Sequence, residues 1–87
     1  MKIEKTRDMR GTTIRLIGRV PAEDLVEVAR QLDASGKGAV LQLDEVTLVD
    51  VDVVRFLNRC ETEGMRLVDC SAYIREWMRR EQNRSQG

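Results

Sequence analysis

Between Gly38 and Leu57 the chain changes its hydrophobic period, and that change limits its folds more than any other feature. Val40-Leu41-Gln42-Leu43 and Val46-Thr47-Leu48-Val49 form an apolar stretch rich in β-branched residues, as in a buried strand. From Val53 onward the apolar residues recur at helical spacing: Val53, Phe56, Leu57 and Cys60. Strand chemistry gives way to helix chemistry at Asp50-Val51-Asp52. An acidic residue there accepts unpaired backbone N–H groups and faces the positive end of the helix dipole, so the helix is predicted to start near Asp50 or Asp52. A buried strand feeding a helix is half of an α/β layer, and the flanking segments are expected to complete it.

Upstream, Lys2–Thr6 and Thr12–Gly18 read as two strands joined by a polar turn near Arg7–Gly11, the first of them at a sheet edge. Pro21 suits the first turn of a helix, where a missing N–H costs nothing. Leu25, Val28, Ala29 and Leu32 follow as an apolar stripe, and Ser35-Gly36-Lys37-Gly38 ends that helix. The unit from the second strand to the central one is therefore βαβ, with a right-handed crossover expected. Downstream, the second helix is expected to bury Val53, Phe56, Leu57 and Cys60. Its outward residues would be Arg55, Asn58, Arg59 and Thr62, and Gly64 would stop it. Met65–Asp69 reads as a short strand, and Ser71 as the cap of a third helix with Ile74, Trp77 and Met78 on one face. Residues 83–87 read as a frayed polar tail. The order is β-β-α-β-α-β-α, a small mixed α/β sheet of four strands covered by three helices.

With 87 residues this is one domain, 1–87. The formal net charge is zero, so no overall field favours nucleic acid or an acidic membrane. The charged opening predicts no signal peptide, and no apolar run approaches a membrane span. Cys60 and Cys70 have neither CxxC nor metal spacing and point to a reduced, cytoplasmic protein. Histidine is absent, which removes the commonest general base and zinc ligand. Arg75, Arg79, Arg80 and Arg84 are read as a solvated face of the last helix, without the aromatic interleaving of a nucleic-acid surface.

Ile14-Arg15-Leu16-Ile17-Gly18-Arg19-Val20 with the Leu25–Leu32 helix resembles the opening of the STAS domain, the family of anti-sigma-factor antagonists and of sulfate-transporter tails. Val40–Asp50 is similar to its central strand and switch-loop aspartate, and Glu63–Val68 with Cys70-Ser71 resembles its next strand and turn. The resemblance runs from about Thr12 to Met78. It implies a STAS-like fold and a non-catalytic, bacterial-type signalling role. The partner would be a regulatory protein of the anti-sigma-factor or kinase type, or alternatively a transporter ATPase holding the chain as a fixed adaptor.

In the family, two hydroxyl residues, a Gly and an aliphatic residue follow the switch aspartate, and one hydroxyl accepts phosphate. Here Val51, Asp52, Val53 and Val54 stand in those places, so no switch-loop phosphorylation is expected. The expected partner-binding residues are Asp50, Val51, Asp52, Arg55, Asn58 and Arg59, with no cofactor and no metal. Asp52 then offers a fixed charge where a phosphate would come and go; the simpler reading is a helix cap at Asp50 and a favourable first-turn charge at Asp52. An enzymatic alternative reads D-x-D-x-V-V as similar to the aspartate motif of haloacid-dehalogenase-like phosphatases. Asp50 and Asp52 would then work with Mg²⁺, in a chemistry that needs further distant carboxylates and a Lys.

Overall fold

The structure, a computed structural model, describes residues 1–36 and 38–86, the side chains of Ser85 and Gln86 excepted. The chain forms β1 (Lys2–Asp8), β2 (Gly11–Val20), a 3-10 turn (Ala22–Asp24), α1 (Leu25–Ser35), β3 (Val40–Val49), α2 (Val51–Thr62), β4 (Arg66–Val68) and α3 (Ala72–Gln86). It is a small mixed α/β fold whose sheet runs in the order β1-β2-β3-β4. β1 pairs antiparallel with β2, whereas β2–β3 and β3–β4 are parallel.

The two parallel crossovers step in the same direction along the sheet, so equal handedness puts α1 and α2 on one face. The core agrees with that placement. Ile14 and Leu16 of β2, Leu41 and Leu43 of β3 and Leu67 of β4 share one cluster with Val28 and Leu32 of α1, Val53, Val54 and Leu57 of α2, and Ile74 and Met78 of α3. The residues alternating with them face away from the helices: Thr13, Arg15, Gln42, Asp44 and Arg66 are polar, and Ile17, Val40 and Val68 are apolar and half-buried. Arg15 lies at the centre of that open face. Its guanidinium grips Asp44 with two hydrogen bonds of 3.1 and 2.7 Å, reaches Glu45 at 3.2 Å, and lies 3.7 Å from Glu4. The hydrogen bond from Arg15 holds the Asp44 carboxyl below its ordinary range.

β3 carries two bulges. From Arg15–Gln42 to Ile17–Glu45, β2 advances two residues while β3 advances three, and a second extra residue enters β3 between the Gly18–Val46 and Arg19–Leu48 pairs. The first bulge leaves consecutive residues Asp44 and Glu45 both exposed. β4 pairs only with Val40, Leu41 and Gln42, so the rest of β3 has a ladder on one side alone. Bulges and two adjacent carboxylates there disfavour pairing with another chain.

Several boundaries differ from the sequence reading, each for a local reason. The first turn shrinks to Met9-Arg10 because Asp8 Oδ1 accepts the Arg10 N–H at 2.8 Å and Gly11 takes a φ of 129°. Pro21 precedes a 3-10 turn, closed by the Asp24 N–H on the Pro21 carbonyl, and does not enter α1 directly. α2 ends in a Schellman motif: the Met65 N–H reaches the Cys60 carbonyl, the Gly64 N–H reaches that of Glu61, and Gly64 has a φ of 96°. That motif consumes Met65, and Asp69 turns left-handed at φ 55°, so β4 keeps only three residues. Of residues 83–87, expected as a frayed tail, 83–86 continue α3, in which no Gly or Pro interrupts the helix, and Gly87 lies outside the described residues. Ser71 caps α3 as expected, its hydroxyl accepting the Ile74 N–H at 3.3 Å.

Candidate functional site

Asp50 sits where β3 ends, beside the end of β2, with which Val49 pairs through Val20. One carboxylate oxygen, Oδ1, accepts the Val53 N–H at 3.1 Å, and the other, Oδ2, accepts the Ala22 N–H at 2.8 Å. Both donors belong to helical starts that have no intrahelical partner for them. Asp50 therefore caps α2 and the 3-10 turn at once, joining the carboxyl ends of two neighbouring parallel strands. The cap was legible in the sequence. The second donor lies 28 residues upstream and no local pattern announces it.

Asp52, in the first turn of α2, is exposed and has no ion-pair or hydrogen-bond partner among the described residues. Val51 beside it is half-buried. Asp52, Arg55 and Arg59 follow at i, i+3 and i+7 along the outer side of α2, and all three are exposed. Arg59 likewise has no partner among the described residues, whereas the Arg55 Nε–H donates to Glu81 Oε1 at 3.1 Å.

Asn58 does not belong to this surface. The sequence reading placed it outward, but it is only 9% exposed, because α3 packs over that side of α2. The two helices run antiparallel on three rungs: Arg75 to Glu61, Asn58 Nδ2 to the Met78 carbonyl at 2.9 Å, and Arg55 to Glu81. A carbonyl can only accept, so this bond fixes the orientation of the Asn58 amide. Its Oδ1 is then buried with no hydrogen-bond partner. An orphaned acceptor costs roughly 1–3 kcal/mol. The Met78 carbonyl lies inside α3 and keeps its place in the helix ladder. Asn58→Leu, nearly isosteric, is therefore expected to leave stability unchanged or to raise it by up to about 1 kcal/mol, whereas Asn58→Asp buries a charge and destabilises. Urea unfolding of both variants checks this.

Glu81 was not foreseen. It continues the apolar face of α3 at i+3 from Met78 and i+7 from Ile74, and is only 6% exposed. Its carboxylate takes Arg55 from α2 and lies 4.0 Å from Arg84. An acid on an apolar stripe was the available signal, but only the facing helix supplies the arginine. The arginines of α3 are engaged too: Arg75 by Glu61, and Arg79 and Arg80 by Glu76. Trp77 is half-buried against the core and meets Tyr73 edge-on at 6.0 Å between ring centroids.

Phe56, expected in the core, is half-buried and lines a groove between the carboxyl-terminal ends of α1 and α2. Cys60, on the same groove, is buried as expected, and burial pushes its thiol up to about 11, with Glu63 adding to the effect. The folded state thus holds this proton more tightly than the unfolded chain. Stability is expected to fall as pH rises from about 9 towards 11. At pH 8 a disulfide reagent is expected to react with Cys60 far more slowly than in denaturant, which peptide mapping after timed quenching measures.

Among the described residues no three His, Cys, Asp or Glu side chains are grouped as metal ligands. Asp50, the nucleophile position of the enzymatic alternative, has both oxygens held by backbone N–H groups. Among the described residues no helix is long and apolar enough to cross a membrane. No family model, curated protein or solved structure matches the chain.

Proposed function

We propose that the chain is a STAS-like, non-catalytic interaction module that docks a regulatory protein through the outer side of α2. The contact residues in this reading are Val51, Asp52, Arg55 and Arg59. Asp50 holds the helix start in place and makes no direct contact. One observation carries the reading: an unpaired acid, Asp52, and an unpaired cation, Arg59, about 10 Å apart by helix rise, flank an arginine braced by a buried carboxylate, on a helix whose cap Asp50 is also tied to the 3-10 turn. Fixed charges on a rigid element select a partner by complementary potential and reject like-charged surfaces.

The β-β-α-β-α-β-α order, with three parallel strands and an antiparallel strand at one margin, supports the STAS-like assignment. With valine and aspartate in place of the family's hydroxyls, Asp52 is a permanent charge, and binding in this reading is constitutive. The free cysteines fit a reducing cytoplasm. Affinity capture from the native cell tests the proposal, with wild type, Asp52→Asn and Arg59→Glu run side by side. A protein retained by the wild type and lost from both variants supports it. Equal retention by all three overturns it. A transporter ATPase among the retained proteins would select the adaptor form of the same reading.

A further inference from the structure

The groove at the opposite end of α2 has a chemistry of its own. It is open to solvent, encloses about 690 Å³, and has walls of Leu32, Phe56, Cys60 and Met65. That volume lies within the usual range for small-molecule sites. Asp33 and Glu63, both exposed, contribute the only charged side chains among its described lining residues. Arg59 precedes Cys60 on α2 but does not line the groove. α1 and α2 both finish here, with Gly36 and Gly64 in the lining, so the negative ends of two helix dipoles add to the two carboxylates. α1 has no basic residue in its last turn to offset its share, whereas Arg59 in the last turn of α2 offsets part of that helix's, so the α1 end and the two carboxylates dominate. Phe56, the chain's one phenylalanine, presents an aromatic ring beside this negative potential, an arrangement that favours a cation with an apolar body.

We propose that this groove is a binding site for a small organic cation, an aryl- or alkylammonium. Its apolar part lies against Leu32, Phe56 and Met65, and its ammonium group lies between Asp33 and Glu63. An anion of the same shape meets two carboxylates and two helix carboxyl ends and is rejected.

The test titrates the ¹⁵N-labelled protein with three probes of similar shape: phenylethylammonium, neutral phenylethanol and anionic phenylpropanoate. The ammonium is expected to shift the amides of Gly36, Gly38, Gly64 and Met65 with a dissociation constant about tenfold or more below that of the alcohol, and the anion is expected to leave them unmoved. Replacing Asp33 with Asn and Glu63 with Gln together is expected to abolish the preference for the cation at an unchanged melting temperature. Equal binding of all three probes, shifts confined to other residues, or no shift overturns the proposal, and these wild-type comparisons stand even if the double variant fails to fold. An acetylated Phe-Lys amide that binds the same residues more tightly than the amine would also overturn it, because the occupant would then be a protein segment.

Discussion

Replacing Leu57 with alanine is expected to cost about 3–5 kcal/mol and to leave much of the protein unfolded at physiological temperature. Leu57 is 1% exposed and lies in the single cluster that joins the sheet to all three helices. Truncation there loses the transfer energy of the side chain and leaves a cavity that rigid neighbours fill only in part. A chain of this size holds on the order of 5–10 kcal/mol in total. Phe56→Ala, one residue earlier, removes a larger side chain and is expected to cost only about 1–2 kcal/mol, because the ring is half-buried at the groove and water already reaches it. Urea midpoints of the two variants measure the difference. A larger loss for Phe56 than for Leu57 would mean that α2 is rotated about its axis from the packing described.

Asp50→Ala carries the other large effect, about 2–4 kcal/mol. Its carboxylate makes two charge-assisted bonds to backbone N–H groups on separate segments, and alanine leaves both donors without it. An ordinary cap is worth only about 1 kcal/mol, so the excess reports the Ala22 bond. Asn separates the two contributions. Its Oδ1 still accepts from Val53, but its amide nitrogen meets the Ala22 N–H as donor against donor. Asp50→Asn is therefore expected to fall between wild type and Asp50→Ala. Calorimetric melting of the three proteins measures the order. A loss near 1 kcal/mol for alanine with none for Asn would reduce Asp50 to a simple cap.

How much of this was legible in the sequence depended on whether a pattern was local. Periodicity placed the four strands and three helices, since apolar spacing along one segment decides its element. The caps at Asp50 and Ser71 and the stop at Gly64 were legible for the same reason. Helix orientation was read less well where a third element intervened. Asn58 belongs to the polar side of α2 considered alone, and became buried because α3 lies across it. Phe56 belongs to the apolar side, and emerged at the groove because α1 and α2 leave a gap at their carboxyl ends. Glu81 and the second bond of Asp50 are contacts across 26 and 28 residues, which no spacing rule reaches. In the candidate surface, Asp52, Arg55 and Arg59 survived from the sequence because an exposed helical stripe is itself a local pattern. The brace on Arg55 was invisible until α3 was in place.

The proposed docking role requires Asp52 to act as a partner-facing charge rather than only as a favourable charge in the first turn of a helix. The most direct measurement is the affinity of the captured partner for wild type and for Asp52→Asn, by calorimetry at low salt where screening is weakest. Asn keeps the shape of the side chain and removes its charge. The expected result is binding weaker by about 1–3 kcal/mol, with folding stability changed by less than about 0.5 kcal/mol. Unchanged affinity, with a few tenths of a kcal/mol lost from folding, would contradict the account and leave Asp52 as a dipole-stabilising residue of α2.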